Sequence, residues 1–230
     1  MDNYKNAHWW LLIPVLLVVI GFFPSYWLRF TEMPWRLHLH GLTATAWFVF
    51  LVVQPYLITR GNVQSHRRVG MVGLVLAGGV VLSGLNIIPH NLVNEQLPET
   101  AGYGLALVDV VLVGGFTLAV VMAIKTSKRL SDHARWMIST AFWALPPGLF
   151  RLLLVPVFVF GGDNPAALIP VALGASGVIC TIVLALIMIR ERRAHPAYMA
   201  AAIGVLVMVL PMIAGDWQWW RDLADAVFTM

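Results

Sequence analysis

Polar side chains that could bind a ligand stand at intervals within the long apolar stretches of this 230-residue sequence. The first group consists of His40, Trp47, Asn86, His90, Asp109 and Arg151. Imidazole nitrogens and carboxylate oxygens are common ligands of zinc, iron and copper. The same groups could also bracket a haem, or hydrogen-bond a quinone or another small polar headgroup. His40 and His90 are the candidate ligands for a metal ion or a haem iron.

A second group of polar residues is expected near the opposite ends of the same helices. It consists of Gln54, His66, Asp132 and His133. These four are secondary candidates, because a simpler explanation competes with a binding role. Ser131 and Asp132 are typical of the first turn of a helix, and the arginines that follow are typical of membrane topology.

Two residues of opposite charge are predicted to reach a similar depth. Arg151 lies 18 residues after His133, which is about 27 Å along a helix, so it returns to the end where Asp109 lies. A lone charge in lipid is costly, so the two side chains are expected to pair or to share a bound ligand. The alternative is that the pair only fastens two helices together. Pro146 and Pro147 are expected to kink the helix that carries Arg151.

The elements that must position these residues are predicted to be membrane-spanning helices. Hydrophobic residues make up 60% of the chain and charged residues only 11%, whereas a soluble domain has about 25% charged residues. The apolar runs approach the ~20 residues that cross a bilayer. The predicted helices are 9–28, 38–59, 69–89, 104–125, 134–160, 166–190 and 197–214. The predicted fold is therefore one all-α, polytopic membrane bundle of about seven spans (1–230), with an interfacial segment at 215–230.

The distribution of lysine and arginine predicts the orientation of the bundle. These residues concentrate in the loops 60–68, 125–135 and 190–196, and they are absent from 90–103 and 161–165. Because cytoplasmic loops carry the excess of Lys and Arg, the N-terminus is predicted to be cytoplasmic. The net charge of +4 then reflects topology, and we expect no nucleic-acid partner.

Several classes of function are disfavoured by what the sequence contains. Its single cysteine, Cys180, leaves no disulfide within the chain. Lysine occurs only as Lys5, Lys125 and Lys128, so no late helix offers a Schiff base for retinal. A Gly-rich phosphate loop is not evident, so no nucleotide is expected.

The polar motifs also carry a resemblance to known proteins. In chain order they are His38-x-His40-Gly41, Gln54, His66-Arg67-Arg68-Val69-Gly70, Asp132-His133-x-x-Trp136-Met137 and Arg151. They resemble, over roughly residues 36–155, a family of bacterial polytopic membrane proteins with a domain of unknown function. This resemblance implies a multi-pass protein of the bacterial inner membrane. A looser similarity to cytochrome b561-type proteins implies a haem b, here held between His40 and His90.

Two hypotheses of different kinds follow, and whether the protein is an enzyme stays open. The first is a haem- or metal-binding redox protein that uses the first group of residues. The second is a non-enzymatic membrane subunit that binds a lipid, quinone or pigment, or that packs into a larger complex. A small-molecule transporter is third, because the chain shows no internal repeat.

Overall fold

A computed structural model of the chain describes residues 4, 6–92, 99–160 and 168–229. The α-helices are α1 (Ala7–Trp10), α2 (Leu12–Gly21), α3 (Trp35–Thr59), α4 (Val63–Leu92), α5 (Glu99–Lys125), α6 (Leu130–Ala144), α7 (Pro146–Phe160), α8 (Ile169–Glu191), α9 (Pro196–Gly204), α10 (Pro211–Ala214) and α11 (Gln218–Phe228). A π-helical turn (Phe23–Trp27) follows α2, and short 3₁₀ segments lie at Phe30–Glu32 and Val205–Val209.

The protein is an integral, multi-pass membrane protein. Four of its described helices, α3, α4, α5 and α8, are long and apolar enough to cross a bilayer, and the bent pair of α6 and α7 makes up to five if the two form one span. This result confirms that the chain is all-α and that it crosses the membrane several times, as predicted. The first and last predicted spans correspond to shorter apolar helices, Ala7–Gly21 and Pro196–Val209. Seven spans are therefore not shown.

Prolines explain why the first and last predicted helices are interrupted. Pro14 and Pro24 have no N–H to donate to the carbonyls four residues earlier, and the predicted helix 9–28 is divided near each of them. The predicted helix 197–214 changes to 3₁₀ geometry after Gly204 and ends its 3₁₀ segment just before Pro211. The chain therefore follows the predicted path with shorter regular pieces.

The kink predicted at the Pro146–Pro147 pair is present. The axes of α6 and α7 differ by 42° at this point. Neither proline can donate to the turn before it, so the helical ladder is broken there. The Leu145 N–H still bonds to the Ala141 carbonyl at 2.8 Å, so regular helical hydrogen bonding extends to the residue before the prolines.

Helices that follow one another in sequence pack side by side, and α2 lies against α3 and α7. The contact between α2 and α7 is a close approach of two backbones, because a Cβ atom at Gly21 would lie 2.1 Å from the Gly148 carbonyl oxygen. Only glycine fits such a contact. It holds the turn after α2 against the kinked helix and shapes one wall of the candidate site.

Candidate functional site

A cavity of about 350 Å³ lies at the end of the bundle where α3 and α5 begin and α4 ends. We call this end, which the loop charges predict to face outward, the outer end, and we call the cavity the outer cavity. Four of the residues singled out in the sequence line it, namely His40, His90, Asp109 and Arg151. A smaller adjoining space of about 80 Å³ is also lined by His40 and Asp109.

The acidic wall of the outer cavity is a hydrogen-bonded pair. The Asn91 side chain donates from Nδ2 to Asp109 Oδ2 at 2.6 Å, and this bond joins the end of α4 to α5. The predicted direct ion pair between Asp109 and Arg151 is not formed. Asp109 keeps one carboxyl oxygen, Oδ1, without a hydrogen-bond partner among the described residues.

The basic wall is the guanidinium group of Arg151. Its Nη1 donates to the Pro147 carbonyl at 3.0 Å, in the first turn of α7. The guanidinium carbon also lies 4.3 Å from the centre of the Phe22 ring, within the range of a cation–π contact. The other N–H groups of Arg151 have no hydrogen-bond partner among the described residues. A guanidinium has five N–H donors, so most of them are open toward the cavity.

The two histidines of the outer cavity differ in their surroundings. His40 Nδ1 lies 3.2 Å from Ser83 Oγ, and Thr43 Oγ1 lies 3.1 Å from the same oxygen. His90, near the end of α4, has no hydrogen-bond partner within the described ranges. The part of the chain that the structure describes contains no group of three or more His, Cys, Asp or Glu side chains that could hold a metal ion.

The other two predicted residues of this group do not line the outer cavity. Asn86 is exposed on the outside of α4, and Asn91, which the sequence reasoning missed, supplies the amide instead. Trp47 is fully buried, and its Nε1 donates to Thr140 Oγ1 at 3.0 Å, which joins α3 to α6. We assign Trp47 to the packing of the bundle.

The turn after α2 forms part of the wall of the outer cavity, and His38, the first histidine of the His38-x-His40 motif, contacts it. Tyr26 lines the cavity, and its hydroxyl lies 3.1 Å from His38 Nδ1. A Cβ atom at Gly41 would lie 2.8 Å from the Tyr26 ring, so the glycine makes room for it. His38 therefore binds the turn while His40 faces α4, and the two do not form a chelating pair.

At the opposite, inner end, three of the four secondary candidates lie near one another. Gln54 is only 7% exposed, and neither side-chain amide atom has a hydrogen-bond partner among the described residues. His66 Nδ1 is likewise buried and has no hydrogen-bond partner in the part of the chain that the structure describes, and its ring centre lies 6.4 Å from that of His133. His133 Nδ1 lies 2.8 Å from the Ala123 carbonyl, so Nδ1 is the donor in this contact.

The fourth secondary candidate, Asp132, belongs to a different cluster. Its carboxylate lies 3.6 Å from Arg135 Nη1 and 3.4 Å from His195 Nε2. Arg135 Nε also pairs with Glu191 Oε2 at 2.7 Å, and the Tyr4 hydroxyl donates to the other oxygen of Glu191 at 2.5 Å. The sequence reasoning treated Arg135 as a topology signal and gave His195 no role, so it missed this network.

The network perturbs two groups that lie outside the spanning helices. Burial, and then the hydrogen bond to Glu191, raise the pKa of Tyr4 to about 12. Burial, and then the charge of Arg135, lower the pKa of His195 below its usual 6.5. His195 Nδ1 accepts the Ala197 N–H at 3.2 Å and thereby caps α9. A neutral His195 fits this role, because protonation of Nδ1 would remove the acceptor.

The described geometry thus offers one ligand-sized cavity with charged walls at the outer end and a structural ion network at the inner end. In comparisons with known proteins, no family model matches the chain, and no curated protein and no solved structure matches it.

Proposed function

We propose that this membrane protein binds a small amphipathic molecule in the outer cavity. The observation that carries the proposal is a guanidinium group, Arg151, whose open N–H donors face a cavity of about 350 Å³. Cavities that bind small molecules measure about 300–1,000 Å³ and combine apolar walls with a few polar groups. The outer cavity has this composition.

The cavity has a polar region that suits the headgroup of a ligand and an apolar region that suits its chain or ring. Arg151, His90 and the Asn91–Asp109 pair offer donors and acceptors to a headgroup. The remaining wall is largely apolar and is formed by residues such as Phe22, Phe48, Leu105, Phe150, Leu173 and Met208. A lipid, a quinone or a pigment has this division, so these classes are the proposed ligands.

We further propose that the protein lies in the bacterial cytoplasmic membrane with its N-terminus inside. The support is the concentration of Lys and Arg in the loops 60–68, 125–135 and 190–196. In this orientation the outer cavity opens toward the extracytoplasmic side.

The experiment is to purify the protein from its membrane and to identify bound small molecules by native mass spectrometry. Ala44 lines both parts of the cavity, so Ala44→Phe should fill the space without removing a polar group. We expect an amphipathic molecule on the wild-type protein and its loss from Ala44→Phe. Val75→Phe adds bulk at a residue that is 78% exposed and serves as the control. An adduct that survives Ala44→Phe would contradict the proposal.

A second candidate function is that of a haem protein. The observation that favours it is that two imidazoles, His40 and His90, line the same cavity, and imidazole is a common axial ligand of haem iron. With Nδ1 beside Ser83, His40 has Nε2 for this purpose. Protein expressed with a haem supply should then show a Soret band that His40→Ala and His90→Ala each remove. A colourless wild-type protein would rule this candidate out.

A further inference from the structure

We infer that the outer cavity selects a ligand whose headgroup carries an anion, a carboxylate or a phosphate, and that Arg151 binds it. This inference rests on the proposed function and names the chemical class of the ligand. Arg151 is the cation that lines the cavity among the described residues, and no carboxylate forms an ion pair with it.

The present contacts of Arg151 stabilise the group without neutralising it. The Pro147 carbonyl takes one N–H, and the Phe22 ring faces the plane of the guanidinium. Both partners are uncharged, and Asp109, which lines the same cavity, interacts with Arg151 electrostatically without forming a direct ion pair, so a hydrogen-bonded counter-charge is still lacking among the described residues. Charged groups inside the apolar part of a membrane protein are costly unless they are paired, and they commonly mark a ligand pathway. A guanidinium matches the two oxygens of a carboxylate or phosphate with a bidentate pair of hydrogen bonds.

Asp109 does not fill this place, because its Oδ2 accepts a hydrogen bond from Asn91 and it forms no direct ion pair with Arg151. Its second oxygen can accept a hydrogen bond from the same ligand. The fitting headgroup therefore has an acidic group for Arg151 and a hydroxyl or ammonium donor for Asp109. The carbon chain or ring would lie along the apolar wall that includes Phe48 and Phe150.

Long-chain oleate and oleyl alcohol test the charge directly, because they share one carbon chain and differ in the headgroup. Acetate supplies the carboxylate without the chain. Binding of each probe to the full chain is measured by isothermal titration in a neutral detergent. We expect oleate to bind more tightly than oleyl alcohol, and acetate to bind far more weakly. Acetate binding as tight as that of oleate would assign the anion to a soluble metabolite, with the same contact to Arg151.

Variants then assign the selectivity to one side chain. Arg151→Gln should weaken oleate binding by roughly tenfold or more and leave oleyl alcohol almost unchanged. Asp109→Asn, which removes the carboxylate that lines the same cavity, should tighten oleate binding. Arg36→Gln is the matched control, since Arg36 is an exposed arginine near the start of α3 that does not line the cavity.

The outcomes separate this inference from the proposed function. Equal affinity for oleate and oleyl alcohol would overturn the anion selectivity and leave the amphiphile site standing. Binding of neither probe, together with a wild-type protein free of any bound molecule, would overturn both. If Arg151→Gln does not fold, Arg151→Lys replaces it, because lysine keeps the charge and removes the planar guanidinium group. An oleate affinity that neither Asp109→Asn nor Arg151→Lys changes would refute the assigned contact.

Discussion

Removing one partner of the ion pair between Arg135 and Glu191 should be among the most destabilising single changes in the bundle. Their side chains are only 10% and 8% exposed, and Arg135 Nε lies 2.7 Å from Glu191 Oε2. The pair joins α6 to the end of α8, 56 residues further along the chain. Breaking a buried pair by removing one partner costs about 3–5 kcal/mol, because the other charge is left uncompensated.

The surroundings of the pair predict an asymmetry between the two single variants. Arg135→Met leaves Glu191 with the Tyr4 hydroxyl as its remaining partner among the described residues, so the loss should lie near the upper part of that range, about 4–5 kcal/mol. Glu191→Leu leaves Arg135 with Asp132 at 3.6 Å, so the loss should be about 3 kcal/mol. In the double variant neither charge remains, and its cost should fall below the sum of the single costs by about 2–3 kcal/mol.

Reversible unfolding in mixed micelles of a mild detergent and SDS, followed by circular dichroism, measures these free energies. The control is the pair Arg29–Glu32, which has a similar distance of 2.9 Å but is 61% exposed at both side chains. Its variants Arg29→Met and Glu32→Leu should each change the free energy by less than about 1 kcal/mol. The reasoning would be refuted if the two single losses at the buried pair were small and strictly additive.

Three further predictions concern other parts of the bundle. Because the pKa of His195 is lowered in the folded protein, the unfolded chain binds the proton at a higher pH, so the free energy of unfolding should fall as the pH drops below about 6.5. His195→Asn can still cap α9 and should remove the contribution of His195 to this fall, measured by chemical unfolding at a series of pH values. Trp47→Phe leaves Thr140 without its donor and should lower the free energy of unfolding by about 1–2 kcal/mol, measured in the same micelles. Gly21→Leu places a side chain against Gly148 and should lower the melting temperature, whereas an unchanged temperature would mean that α2 and α7 do not approach as closely as described.

The features that follow from local chemistry could be predicted from the sequence. The kink at Pro146 and Pro147 was predictable because a missing N–H breaks the ladder wherever the helix continues. That Asp109 and Arg151 lie at the same end of the bundle followed from the rise per residue of a helix and from the alternating direction of successive spans.

What depends on neighbouring helices could not be predicted. Asn86 and His90 are one turn apart and were both candidates for the same site, yet Asn86 is exposed and His90 lines the cavity. Pro89 lies between them and cannot donate to the Leu85 carbonyl, so the helix need not keep one face past that point. The amide bonded to Asp109 comes from the next residue, Asn91, and only packing against α5 selects it.

The pairing of charges at the inner end was hidden for the same reason. Loop arginines are explained by topology, and nothing local distinguishes Arg135, which contacts Glu191, from an arginine that faces water. The capping role of His195 likewise requires knowing that its side chain turns back to Ala197.

The most direct test of the ligand site is an experimental structure of the wild-type protein in a lipid nanodisc, with the protein purified so that its bound lipids are retained. We expect non-protein density in the outer cavity, with a headgroup within hydrogen-bond distance of the Arg151 guanidinium and a tail along the wall formed by Phe48 and Phe150. A cavity without density, collapsed so that Arg151 forms an ion pair with Asp109, would contradict the proposed binding function.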